Sequence, residues 1–214
     1  NNAQEKAAAV LLAGYPGQEG GNAVADVLFG DYNPAGRLPV TYYKSIDQIP
    51  AFENYDMDGK TYRFFSGEPL YPFGYGLSYT TFSYSGLVLP QRIDAGEKVK
   101  VSVKVTNTGE RDGEEVVQLY LTDVKATTLR PVRQLEGFER IFLKEGESRV
   151  VEFLLEPRQF SIINNRDRRV IEPGYFTISV GGKQPGFSGY LDPQCTGVVT
   201  GRIRLTGKEV RFDN

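Results

Sequence analysis

Three stretches of this sequence hold side chains whose types and spacing could do chemistry. The first is the acidic group Glu53, Asp56 and Asp58, the last two inside Asn54-Tyr-Asp56-Met-Asp58-Gly59. Paired carboxylates can divide acid and base or nucleophile duties at one bond. The same run opens like a calcium loop, but its twelfth position, where a bidentate glutamate is required, would be Phe65, and no flanking helices are evident. Clustered loop acids are more often solvated, and we read this cluster as a solvated loop.

The second stretch is Gly14-Tyr-Pro16-Gly17-Gln-Glu19-Gly20-Gly21-Asn22, a glycine loop opening onto a helical pattern. Such a loop can cradle phosphate. Here the spacing is GxxGxxGG rather than GxGxxG, Pro16 interrupts it and no Walker lysine follows, which favours a tight structural turn or the rim of some other pocket. The third candidate is Cys195, the single cysteine, in the loop Pro-Gln-Cys-Thr-Gly. A thiol nucleophile needs a base, and the sequence contains no histidine. That absence removes Ser-His-Asp and Cys-His catalysis and HExxH zinc sites from this chain. From the residues themselves no catalytic, metal or cofactor site is assigned, and the substrate-binding residues are unknown.

Bulk properties narrow the class. With 214 residues, 40% hydrophobic and 24% charged, the composition is that of an ordinary globular chain of one large or two small domains. A net charge of −2 gives no electrostatic footprint for nucleic acid or an anionic membrane surface. No apolar run approaches the roughly 18 residues of a membrane span. One cysteine cannot form an intrachain disulfide, which is neutral on compartment. Asn1-Asn-Ala-Gln-Glu-Lys6 is not a signal peptide and runs straight into Ala7-Ala-Ala-Val-Leu-Leu-Ala13, so the chain is expected to begin in mid-domain.

The elements that must position these residues change character along the chain. Ala8–Ala13 is a continuous apolar run that suits a strand buried on both faces, as in a parallel sheet. Ala23–Phe29 places Ala23, Val24, Val27 and Leu28 on one helical face, with Gly30 to stop the helix. Asp31–Pro39 is turn chemistry, and Val40–Tyr43 reads as a short strand. Beyond residue 80 the period becomes two. Val99, Val101, Val103 and Val105 alternate with Lys98, Lys100, Ser102 and Lys104, and further strands are expected at 115–122, 134–143, 149–155 and 175–180. Short strands with turns every ten residues or so indicate an antiparallel sandwich. The fold class is therefore mixed: a partial α/β, parallel-sheet segment over 1–66 and an immunoglobulin-like sandwich over 83–182. Between them lies the connector 67–82, rich in glycine, proline and aromatics. A tail over 183–214 alternates again at Gly197–Thr206 and is expected to add an edge strand or hairpin.

Three long motifs, in order, resemble glycoside hydrolase family 3. Gly17-Gln-Glu-Gly-Gly-Asn-Ala-Val-Ala-Asp-Val-Leu-Phe-Gly-Asp-Tyr-Asn-Pro-Ala-Gly-Arg-Leu-Pro-Val-Thr41 is similar to the closing segment of that family's C-terminal α/β sandwich domain. Tyr62-Arg-Phe-Phe65 with Pro69-Leu-Tyr-Pro-Phe-Gly-Tyr-Gly-Leu-Ser-Tyr-Thr-Thr-Phe82 looks like its connector into a fibronectin type III-like domain. Gln118-Leu-Tyr-Leu121, Arg130-Pro-Val-Arg-Gln-Leu-Glu-Gly-Phe-Glu-Arg140 and Gly146-Glu-Ser148 resemble that third domain, and the wording of 57–72 is nearest the β-xylosidase-like branch.

The resemblance implies the C-terminal, accessory part of a retaining exo-acting β-glycosidase, a β-xylosidase or β-glucosidase acting on oligosaccharides from plant polysaccharides. It implies no cofactor, a secreted or periplasmic location, and the rest of the enzyme as partner. The family's aspartate nucleophile lies in a barrel domain and its glutamate acid/base upstream of residue 8, so the chain alone is expected to be inactive. Glu19 matches the glycine-rich turn rather than the acid/base, and is expected to structure the turn or the helix N-terminus. The loop 54–66 could line the rim of the cleft. The alternative reading is a free-standing carbohydrate-binding or adhesion module without catalytic activity.

Overall fold

A computed structural model describes residues 2–187 and 194–212. Eleven strands form the body: β1 (Phe82–Val88), β2 (Arg92–Asp94), β3 (Val99–Asn107), β4 (Gly113–Asp123), β5 (Gln134–Leu143), β6 (Ser148–Leu155), β7 (Ile162–Ile163), β8 (Arg169–Ile171), β9 (Gly174–Gly181), β10 (Val198–Thr206) and β11 (Val210–Arg211). They pair as β1-β3-β6, as β2-β10-β9-β4-β5, and as a small β11-β8-β7 sheet. The β2–β10 pair is parallel, and the other strand pairs are antiparallel.

The sandwich core follows from alternation. Val99, Val101, Val103 and Val105 of β3 are fully buried, facing Val117, Leu119 and Leu121 of β4 and Ile178 and Val180 of β9. Each such side chain contributes about 1.5–3 kcal/mol relative to leaving it in water. Lys100 and Lys104 on the opposite side of β3 remain exposed, and Lys100 pairs across the strands with Glu152 at 2.9 Å.

The stretch expected as an edge addition lies within the sheet instead. β10 is flanked by β9 on one side and β2 on the other. Ile203 and Leu205 explain its place, because both point into the core and are 0% and 2% exposed. Residues 188–193 and 213–214 of that expected tail lie outside the described residues.

The first 66 residues contain helices α1 (Asn2–Lys6), α2 (Gly20–Phe29) and the one-turn α3 (Thr61–Phe64). Gly30 ends α2 in the left-handed region at φ 85°, with its N–H on the Val27 carbonyl, as the sequence requires of a helix-stopping glycine. The strand expected at 8–13 is not formed: the segment has no sheet partner among the described residues, and Val10, Leu11 and Leu12 are exposed. A strand needs a neighbour to satisfy its backbone, and no other strand lies beside it among the described residues. At 40–43 only an isolated antiparallel bridge forms, between Tyr42 and Tyr71 of the connector.

Candidate functional site

The connector 67–82 lies against the outer face of the five-stranded sheet, the turn Asp31–Pro39 reaches the same sheet beside it, and a polar network sits where the two meet β4. Arg37 reaches into the sandwich. Its Nη2 donates to Glu115 Oε2 at 3.0 Å and its Nε to the Gly182 carbonyl at 3.2 Å, with the two side chains 6% and 0% exposed. The other carboxylate oxygen, Oε1, accepts from the Tyr84 hydroxyl at 3.0 Å and the Thr196 hydroxyl at 3.2 Å. Burial pushes the Glu115 carboxyl above its ordinary value, while Arg37, Tyr84 and Thr196 oppose the shift. Burial and the adjacent Glu115 push the Tyr84 hydroxyl well up.

A second tier continues outward on β4. Gln118 Nε2 donates to the Gly74 and Gly182 carbonyls at 3.1 and 3.0 Å, and its Oε1 accepts from the Tyr120 hydroxyl at 2.6 Å. Gly74 has φ 76°, and a Cβ there would strike Gln118 and Tyr120; one at Gly182 would strike Glu115 and Thr196. Both glycines are therefore needed where the backbone touches the network. Tyr62 closes this side, stacked on Phe73 at 4.0 Å and edge-on to Tyr120. Lower down, Asn33 Oδ1 accepts from Ser78 and from the Tyr79 N–H, and Tyr79 donates to the Val27 carbonyl of α2 at 2.8 Å.

This network is a clasp. Every acceptor in it is answered by a donor within the chain, and its carboxylate is buried behind an arginine. It holds the turn and connector to the sheet; it offers no exposed acid or base for a reaction.

The candidates from the sequence lie elsewhere and apart. Glu19 is exposed at the N-cap of α2, where its carbonyl accepts the Ala23 N–H at 3.0 Å and its carboxylate accepts from the Asn22 amide at 2.5 Å. In the glycine loop, Gly20 N–H closes a turn onto the Gly17 carbonyl, and a Cβ at Gly20 would collide with Pro16. Glu53, Asp56 and Asp58 are exposed, in a loop organised by the Asn54 side chain, whose Oδ1 accepts the Asp56 N–H at 2.8 Å. Cys195 is half-buried beside the Gly76 carbonyl, and burial pushes its thiol up, away from the thiolate form. Among the described residues no group of three or more His, Cys, Asp or Glu is placed to hold a metal ion. No helix among them is long and apolar enough to cross a membrane.

Glu115 was missed by sequence reasoning, yet its signal was present. It shares the parity of Val117, Leu119 and Leu121, so it occupies an inward position of a buried strand, where an acid requires a cation.

Residues 1–79 match the glycosyl hydrolase family 3 C-terminal domain, and residues 115–184 match the fibronectin type III-like domain. The chain is 45% identical over 190 residues to the periplasmic beta-glucosidase of Salmonella typhimurium, a match covering 83% of this chain and 25% of that protein. It is 49% identical over 144 residues to the xylan 1,4-beta-xylosidase of Xylanibacter ruminicola, covering 67% of this chain and 16% of that one. Among solved structures, beta-glucosidase 3B from Thermotoga neapolitana, in complex with α-D-glucose, superposes with a TM-score of 0.79 at 33% identity, over 92% of this chain and 28% of that chain. The chain thus spans 16% to 28% of the length of these relatives. Both domain patterns occur in one chain, the turn and connector within the first and β4 within the second, and the chain belongs to glycoside hydrolase family 3 as a portion made of its C-terminal domain and a fibronectin type III-like domain.

Proposed function

We propose that this chain is the structural, accessory part of a retaining exo-acting β-glycosidase, a β-glucosidase or β-xylosidase whose catalytic carboxylates are supplied by the rest of the polypeptide. The observation that carries this reading is the clasp. A buried Arg37–Glu115 pair commits the sandwich to gripping one face of residues 1–66, while Val10, Leu11, Leu12, Leu28 and Phe29 remain exposed on that segment. Apolar surface of this kind is suited to burial against a larger body. The segment 1–66 is then the closing piece of an α/β domain, 67–82 its connector, and the sandwich a buttress. Similarity to a periplasmic β-glucosidase supports a location outside the cytoplasm. Oligosaccharides with terminal β-glucosyl or β-xylosyl units are the proposed substrates of the whole enzyme.

The test is an assay of the purified chain on aryl β-glucoside and aryl β-xyloside, beside the whole polypeptide that contains it. The chain alone is expected to give no turnover and the whole polypeptide to hydrolyse at least one. Turnover by the chain that persists after repurification and disappears in Glu19→Gln would overturn the accessory assignment.

A further inference from the structure

The outer face of the five-stranded sheet is covered over only part of its length. Gln118 and Tyr120 of β4 and Ser179 of β9 are buried, the first two beneath the connector and Tyr62 of α3. Further along the strands the same face is open and presents Tyr175 of β9, Arg202 and Arg204 of β10 and Arg92 of β2. Register groups them: Arg204 stands opposite Tyr175 on one side and opposite Arg92 on the other. Arg202 shares the face of Arg204, since Ile203 and Leu205 point into the core. The Arg202 and Arg204 guanidinium carbons lie 5.0 and 5.5 Å from the centroid of the Tyr175 ring.

Cross-strand pairing takes up some of the charges on the sandwich's other exposed face. On the opposite sheet, Lys98 pairs with Glu156 at 2.8 Å and Lys100 with Glu152 at 2.9 Å. Among the described residues no ion pair engages Arg92, Arg202 or Arg204. Asp94, also on this face, accepts from the Thr206 hydroxyl at 2.6 Å, and Arg92 Nε donates to that same hydroxyl oxygen at 3.3 Å. Like charges side by side on neighbouring strands weaken a sheet. Three arginines grouped on one open face can receive an anion from outside. That they are arginines matters, because the guanidinium fork matches a carboxylate with two parallel hydrogen bonds. Resting on one aromatic ring, two of the forks are already oriented, which lowers the entropy lost on binding.

We propose that this open face binds a carboxylate-bearing glycan, with Arg202 and Arg204 clamping uronic acid carboxylates and Tyr175 forming the floor between them. The choice of a glycan over another polyanion rests on the reading of the whole enzyme as a β-glycosidase; the anionic character of the ligand rests on the arginines alone.

The full chain is titrated with polygalacturonate, with its methyl ester, which keeps the backbone and loses the charge, and with duplex DNA. Binding of the free acid is expected, at least about tenfold tighter than the ester, from the loss of charge-assisted hydrogen bonds. It should weaken between about 0.01 and 0.15 M salt as screening grows. Arg202→Gln with Arg204→Gln is expected to abolish the preference for the acid without lowering the unfolding midpoint, both side chains being exposed. Equal binding of acid and ester, no binding of the acid, or an unaltered preference in the double variant would each overturn the proposal. Tighter binding of DNA than of polygalacturonate would assign the face to phosphodiesters and overturn it also. Hydrolysis of aryl glycosides by the whole enzyme is read separately, so failure of this face and failure of the glycosidase reading are distinguishable.

Discussion

Arg37 and Glu115, 78 positions apart in sequence, meet at 3.0 Å in a site closed to water. One comes from a proline- and glycine-rich turn, the other from an inward position of β4, and Tyr84, Thr196 and the Gly182 carbonyl complete the site. A buried pair of this kind gains little over well-packed apolar side chains, because desolvation offsets most of the attraction. Its effect is on geometry. An unpaired charge in the same place is costly, so the turn can dock on the sheet in one placement only.

Removing one partner is therefore the severe change. Glu115→Leu is expected to lower the unfolding free energy by about 3–5 kcal/mol by leaving Arg37 buried and unpaired. Arg37→Met combined with Glu115→Leu should recover part of that loss. Urea unfolding of the single and double variants measures both, and a single-variant cost under about 1 kcal/mol, the range of exposed pairs, would mean the clasp is open in solution.

The acid dependence of stability has a defined sign. Burial raises the Glu115, Glu136 and Asp123 carboxyls above their ordinary values. Between the unfolded and folded values the native state holds more protons, so stability falls as pH rises through that window. The window opens at 4.5 for the glutamates and 3.8 for the aspartate. Thermal midpoints are expected to hold or rise as pH is lowered from about 7 towards 5, with a flatter slope in Glu115→Gln. A midpoint that drops steadily over the same interval would show Arg37 outweighing burial at Glu115.

Glycine replacements separate contact from backbone strain. Gly182→Ala forces a methyl into the Glu115 carboxylate and the Thr196 hydroxyl, and should cost about 1–3 kcal/mol as overpacking. Gly146 has φ 70° with open space around it, so Gly146→Ala should cost about 1–2 kcal/mol from conformation alone. In Gly182→Ala the deficit should shrink when Glu115→Leu is added. Additive costs in that pair would place the methyl away from the carboxylate.

Hydrogen exchange should divide the chain. Amides of residues 8–13, without a sheet partner among the described residues, are expected to exchange near the unprotected rate in this chain, while those of β3 and β4 exchange only on global unfolding. In the whole polypeptide the same six amides should become protected. Equal exposure in both settings would contradict burial of this segment against a larger body.

The sandwich was legible because its strands obey a single rule. Val99, Val101, Val103 and Val105 announce β3 and are all buried, and 134–143 appears with the expected bounds. The short β2, β7, β8 and β11 were not visible, since two or three residues cannot establish a period. The run 8–13 has the composition of a strand in a buried environment, and among the described residues no strand lies beside it to pair with. The clasp was half legible. Alternation marks Glu115 as inward, but nothing local identifies Arg37 as its partner, because turn residues carry no period. Gln118 and Tyr120 look like outer-face residues and are buried because the connector and Tyr62 of α3 lie over them.

The place of β10 also fixes the order of events during synthesis. β2 and β9 are neighbours of β10 and not of one another, so the sheet stays in two pieces until Thr206 has left the ribosome. Thr196, whose hydroxyl reaches Glu115, emerges almost as late. Whatever precedes residue 82 is thus translated well before the sandwich can close, and the newborn polypeptide must keep that earlier surface from wandering into other partners while it waits for β10.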